Sequence, residues 1–128
     1  MRAILDTHAF LWFINDDPNL SARAEEFIQN ETVVLSIVSV WEIAIKLGVG
    51  KLSLVDTRPL KEILVEQIAG ANVILAPIGL DEIEVVQTLP MHHKDPFDRM
   101  LIALSLVERM PIVSRDDRFD TYGVQRIW

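Results

Sequence analysis

The chain has 128 residues, a formal charge of -7, 50% hydrophobic and 24% charged residues, and no cysteine. That length fits one domain with its own core, and the lack of cysteine excludes a disulfide framework and thiolate zinc sites while fitting a reducing compartment. The acidic balance excludes a nucleic-acid binder working through a general basic surface, no uncharged run reaches membrane-spanning length, and the short apolar run Ala9 to Ile14, preceded by Asp6, does not make a signal peptide. A single domain over 1–128, cytoplasmic and without membrane contact, is the expectation.

Arg2 to Leu5 (RAIL) is the first of four short apolar runs that read as buried parallel strands. Helical spacing follows over His8 to Asn15 and over Ala22 to Asn30, before the second run at Thr32 to Ser36 (TVVLS). The next predicted helix covers Val40 to Gly48, with Ser39-Val-Trp-Glu42 at capping-box spacing. Another covers Arg58 to Ala71 behind a Thr57 cap, and Gly48 and Gly70 stand where the two helices would stop. After the third run, Val73 to Ala76 (VILA), come helices over Leu80 to Leu89 and over Pro96 to Glu108, the latter opened by Asp95 as N-cap and proline at N1. Pro111 to Ser114 (PIVS) is the fourth run, and the tail VQRIW adds an edge strand. The alternation implies a three-layer α/β/α fold with a central parallel sheet of four to five strands and right-handed crossovers.

On that scaffold four acids from distant parts of the chain meet at one sheet edge. Asp6 ends the first strand, Asp116 follows the fourth, and Glu42 and Asp98 lie at N3 of helices that begin at the strands' carboxyl ends. Open α/β sheets hold their ligands at that edge. Each acid alone has an ordinary explanation: Glu42 completes a capping box, Asp98 favours the positive end of its helix, and Asp116 among Arg115, Asp117 and Arg118 sits in a solvated turn. Asp6 is harder to explain in this way, because it stands between an apolar strand and an apolar helix, where an unpaired carboxylate is costly. Clustered carboxylates demand a counter-charge, and no lysine stands beside Asp6. All-oxygen ligands favour a hard ion, Mg²⁺ or Mn²⁺, which orients a phosphate oxygen and activates a water. The implied chemistry is phosphodiester hydrolysis.

LDTHAFLW at 5–12, SVWEIAIKLGVGKLSL at 39–54, DPFDRMLIA at 95–103 and SRDDRF at 114–119 carry these acids. At these motifs the chain resembles the PIN-domain family of metal-dependent nucleases, specifically the VapC-type toxins of bacterial toxin-antitoxin pairs. The resemblance makes Asp6, Glu42, Asp98 and Asp116 the metal-binding and catalytic acids, with Asp95 and Asp117 as ambiguous extras. It puts Ser114 where the family often has threonine, a hydroxyl that orients the site, and Thr7 beside Asp6 in the same role. It further implies one or two Mg²⁺ or Mn²⁺ ions, an RNA substrate cut to 5′-phosphate and 3′-hydroxyl ends, a homodimer and a cognate antitoxin. Lys46, Lys51, Arg99, Arg115 and Arg118 become candidates for phosphate contacts around the edge, against the ordinary reading of solvated or acid-paired surface charge.

The aromatic residues Phe10, Trp12, Phe13 and Trp41 read as core, although helical spacing cannot bury all of Phe10 to Phe13 on one face, so some are expected at a dimer or antitoxin interface. His92 and His93 read as loop residues without a metal-ligand partner, and His8 reads equally as structural or as a neighbour of the site. Four competing assignments stand beside the toxin. One is an RNA-processing PIN nuclease without an antitoxin. Another is a Mg²⁺-holding signalling receiver, which would need an acid ending the third strand, and a third is a non-cutting RNA- or partner-binding PIN domain. The fourth is a metal-free ribonuclease using His92 and His93.

Overall fold

The computed structural model describes residues 1–70 and 72–128. Among the described residues five strands form one sheet, all neighbours parallel: β1 (Arg2–Leu5), β2 (Thr32–Ser36), β3 (Val73–Ala76), β4 (Ile112–Val113) and β5 (Arg126–Ile127), in the order β3-β2-β1-β4-β5. The helices are α1 (Thr7–Ile14), α2 (Ala22–Asn30), α3 (Ile37–Gly48), α4 (Leu60–Gly70), α5 (Leu80–Thr88) and α6 (Pro96–Glu108). Parallel strands joined by helical crossovers leave each sheet face to be covered, and two apolar clusters do so. One joins Phe10, Leu35, Ile43 and Val113, and the other joins Ile4, Ile102, Leu104 and Phe119. The expected three-layer α/β/α fold is present, with the tail strand at the sheet edge as predicted.

Helix α1 starts one residue before the expected His8, and two other helix starts differ by more, for identifiable reasons. α3 begins directly on β2, because Ser36 ends the strand and caps the helix, its hydroxyl accepting from the Val38 N–H at 3.1 Å. Ser39 is therefore a buried interior residue whose hydroxyl has no hydrogen-bond partner among the described residues, and Glu42 lies in the second helical turn instead of at N3. α4 starts at Leu60, not at Arg58, because the residue before a proline is disfavoured in helical conformation. The Pro59 carbonyl accepts from Glu62 and Ile63, so Thr57 caps nothing, and Ala71, the expected last residue, lies outside the described residues. A short 3-10 helix over Asp117–Tyr122 replaces the expected open turn after β4. No helix among the described residues is long and apolar enough to cross a membrane.

Candidate metal centre at the carboxyl edge of the sheet

Asp6 leaves β1 and caps α1. Its backbone N–H bonds the Val113 carbonyl at 3.1 Å, tying it to β4, and its Oδ1 accepts the Ala9 N–H at 2.7 Å. Thr7, buried beside it, donates from Oγ1 to Glu42 Oε1 at 2.6 Å, and Lys46 one turn further along α3 reaches Glu42 Oε2 at 3.1 Å. Both oxygens of Glu42 are thus held from opposite sides. Ser114, fully buried at the end of β4, accepts the Asp116 N–H at 2.9 Å, and its hydroxyl favours the ionised form of Asp6.

Asp98 stands in the first turn of α6, opened as expected by Asp95 and Pro96. The Asp95 carboxylate accepts from Phe97 and Asp98 N–H groups at 2.8 and 3.3 Å. Asp116 caps the 3-10 helix and is gripped by Arg118, whose Nη2 lies 2.8 Å from its Oδ2. Burial pushes Asp98 up to about 8, and repulsion from Asp95, Asp6, Glu42 and Asp116 acts in the same direction. Asp6 is likewise raised by burial, against hydrogen bonds from Ser114 and Ala9. Partial burial would also raise Asp116, but the hydrogen bonds from Arg118 and His93 outweigh it and bring that carboxyl down to about 2. The four acids expected from the sequence therefore act on one another across the edge. Asp95 belongs to this field as the cap behind Asp98, whereas Asp117 is exposed at the start of the 3-10 helix.

His93 is the residue that sequence reasoning missed. Instead of lying in a solvated loop it is 2% exposed, with Nε2 3.0 Å from Asp98 Oδ2 and 3.1 Å from Asp116 Oδ2. Its Nδ1 accepts the Asp95 N–H at 3.2 Å, so the ring proton sits on Nε2 and is shared between the two carboxylates. The available signal was position: His93 stands just ahead of the Asp95 cap, where the chain entering α6 passes over the helix's first turn, which carries Asp98. His92, its neighbour, points elsewhere and packs edge-on against Tyr122.

Of the expected phosphate-binding cations, Arg99 is a correction. It is buried, and both terminal nitrogens of its guanidinium are engaged, donating to the carbonyls of Val86, Leu89, Pro90 and His93. Lys46 and Arg118 are paired with Glu42 and Asp116. Lys51 is exposed in the turn after α3, and Arg115 is exposed beside the site without an acidic partner among the described residues. Of the aromatic residues, Phe10 is core and Phe13 packs against it. Trp12 is half-buried, and Trp41 is 61% exposed, packed edge-on against Phe97.

The donor set fits a hard divalent cation. Asp6 and Asp98 have no lysine or arginine partner among the described residues, although flanking cations serve Glu42 and Asp116, so ionising the middle of the cluster calls for a cation there. His93 lies close enough to Asp98 and Asp116 to be considered a ligand with them. To serve as one, however, it would need the proton on Nδ1, which faces the Asp95 N–H donor. Its geometry is that of a hydrogen-bond donor to the carboxylates.

A family model described as PIN domain matches residues 3–125. No curated protein sequence matches significantly. Among solved structures, FitAcB from Neisseria gonorrhoeae shares 19% identity and a TM-score of 0.64, covering 98% of this chain and 96% of that one. VapBC2 from Rickettsia felis bound to a DNA fragment from their promoter shares 14% identity at a TM-score of 0.67, covering 98% and 97%. FitAB bound to an IR36 DNA fragment shares 19% identity at a TM-score of 0.64, covering 98% and 93%. At those identities the likeness is one of fold.

Proposed function

The chain belongs to the PIN domain family, and from that premise we propose that it is a Mg²⁺- or Mn²⁺-dependent endoribonuclease, the toxin of a toxin-antitoxin pair, working in the cytoplasm as a homodimer. The observation that carries the nuclease reading is the convergence of Asp6, Glu42, Asp98 and Asp116, with Asp98 raised to about 8 by burial and by its acidic neighbours. Such a cluster is stable at neutral pH only when a proton or a cation offsets its charge. Asp6, Glu42, Asp98 and Asp116 would hold the ion, with Asp95 behind them. When bound, it supplies the Lewis acidity that makes a water competent to attack and offsets charge gathering on the phosphate.

The remaining groups hold those ligands in place. Thr7 and Lys46 fix the Glu42 carboxylate, and Ser114 anchors the backbone of Asp116. The Nε2 proton of His93 holds Asp98 and Asp116 in one orientation. In the hydrolysis, water oxygen forms the new bond to phosphorus and the bond to the 3′ oxygen breaks. One product strand then carries a 5′-phosphate and the other a 3′-hydroxyl, with the water's proton ending on the latter. The histidine-pair alternative is disfavoured because His92 and His93 diverge and Nε2 of His93 is already engaged by two carboxylates. A receiver domain is disfavoured because β3 ends at Ala76 and the next acid, Asp81, lies in α5.

The toxin and antitoxin assignment rests on the motif resemblance. The structural likeness to VapBC2 and FitAB, each solved with DNA, supports it. An apolar run of Ile37, Trp41 and Ile45 on α3 and Val49 at its C-cap, at four-residue spacing, is exposed and supports work in association with another chain. The decisive experiment uses an RNA with a single 2′-deoxy residue at the cleavage position. We expect it to be cut with Mn²⁺ to a 5′-phosphate product, and EDTA to stop the reaction. Complete blockage by the deoxy substitution, with a 2′,3′-cyclic phosphate from ordinary RNA, would overturn the metal mechanism.

A further inference from the structure

Beside the carboxylates lies an open groove of about 470 Å³, lined by Asp6, Asp116 and Arg118 together with His8, Trp12 and Arg115. That volume is within the range of ordinary small-ligand sites. Helix α1 builds its aromatic wall: His8 and Trp12 are one turn apart with ring centroids at 5.7 Å, and Trp128 braces the indole at 5.8 Å. The half-buried indole therefore presents a supported face at the edge of the site.

Arg115 makes the groove unusual. It stands between Ser114 and Asp116 in a chain of formal charge -7, yet among the described residues it forms no ion pair. Its guanidinium carbon lies 5.7 Å from the centre of the Trp12 ring, and its one side-chain hydrogen bond among the described residues is a 3.4 Å contact to the neutral Asn19 side chain. An exposed cation-π contact and a long neutral hydrogen bond are weak ties, whereas a phosphate offers bidentate, charge-assisted bonds. Moving the guanidinium to a phosphate would uncover the indole face.

We propose that this groove is a subsite for one unstacked base of single-stranded RNA next to the scissile phosphate, the base stacking on Trp12 and His8 while Arg115 exchanges the indole for the adjoining backbone phosphate. This rests on the nuclease reading above and names its substrate class. Stacking supplies attraction that does not depend on net charge, which answers how so acidic a chain holds a polyanion. A duplex cannot use the site, because its bases are already stacked.

The test measures cleavage of a mixed-sequence RNA dodecamer with Mn²⁺, single-stranded and annealed to its complement, with an abasic ribonucleotide moved along the strand. In the wild type, one abasic position near the cut should lower kcat/KM by about 10- to 100-fold, mostly through KM, and the duplex should be a poor substrate. Trp12→Ala should show the same loss with no further effect of that abasic position, and Trp12→Phe should recover most of it. Arg115→Gln should raise KM. With few phosphates engaged by cations, say two, the plot of log affinity against log salt should have a slope of only about -1.4. Binding is followed separately by indole fluorescence on the Asp98→Asn protein.

If the wild type cuts but no abasic position matters, or folded Trp12→Phe and Trp12→Ala match the wild type in KM, the proposal fails and the groove serves a protein partner or nothing. Should the wild type cut no RNA yet bind the dodecamer in a Trp12-dependent way, the nuclease reading fails and the subsite stands. Loss of both removes both.

Discussion

Asp98 and His93 show how single residues carry the character of the site. An ordinary aspartyl group ionises near pH 4, whereas Asp98 in the fold holds its proton to about 8 because it is partly buried and faces other acids. Between those two values the unfolded chain releases a proton that the folded chain retains, so the metal-free protein must lose stability as pH rises from about 4 to 8 and level off above. The slope from this group is at most about 1.4 kcal/mol per pH unit. Asp6, raised by burial, acts in the same direction, while Asp116, lowered to about 2, acts only in stronger acid. Thermal melts in EDTA from pH 5 to 8 should show this fall in the wild type and a clearly smaller one in Asp98→Asn. Parallel curves would mean that Asp98 is not the strained group. His93→Ala removes the donor shared by two carboxylates and leaves the Asp95 N–H without its acceptor, so we expect a loss of about 2–4 kcal/mol and a large drop in cleavage. His93→Gln, which restores an N–H donor, should recover part of both. A His93→Ala protein that folds and cuts like the wild type would remove the positioning role.

At the scale of elements, two local corrections yield opposite expectations for neighbouring serines. Ser36 caps α3, so Ser36→Ala should cost about 1 kcal/mol. Ser39, buried with its hydroxyl unpartnered, gains nothing from its oxygen, and Ser39→Ala should be neutral or stabilising by up to about 1–2 kcal/mol. Denaturant melts of the two variants separate the assignments: a destabilised Ser39→Ala beside an unaffected Ser36→Ala would restore the cap to Ser39. Arg99 joins α6 to the end of α5 by donating to the Val86 and Leu89 carbonyls, which the helix end leaves with open acceptor capacity. A lysine cannot reproduce that fork. Arg99→Lys should therefore lose about 2–3 kcal/mol with KM for RNA unchanged, and a raised KM at unchanged stability would return Arg99 to the substrate.

Over the whole molecule, five parallel strands and their helices bring together acids that are far apart in the chain, and the resulting cluster is under electrostatic stress. A cation that binds only the folded chain must relieve it. At a hundredfold excess over its Kd, Mn²⁺ should stabilise the wild type by about 2.7 kcal/mol, seen as a rise in Tm, with Asp116→Asn showing a blunted shift. An unmoved transition at millimolar Mn²⁺, together with activity that survives EDTA, would end the metal assignment.

The sequence by itself determined the sheet and the acids on its edge. Short apolar runs between helical segments admit few arrangements besides a parallel α/β sheet, and residues that end strands or open helices must then lie at the carboxyl edge. Asp6, Asp98 and Asp116 were legible for that reason, and Glu42 too, although its helix starts at Ile37 instead of Val40. What only the tertiary structure decided is where side chains find partners across long gaps in the chain. Arg99 looks like a free cation in DPFDRM because the carbonyls that consume it come from α5 and the following loop. His93 looks like a loop residue because the carboxylates it joins are brought to it from two other segments, α6 and the turn after β4. Periodicity and capping report the local backbone, but the partner of a buried polar group is set by the packing of elements that the local sequence does not contain.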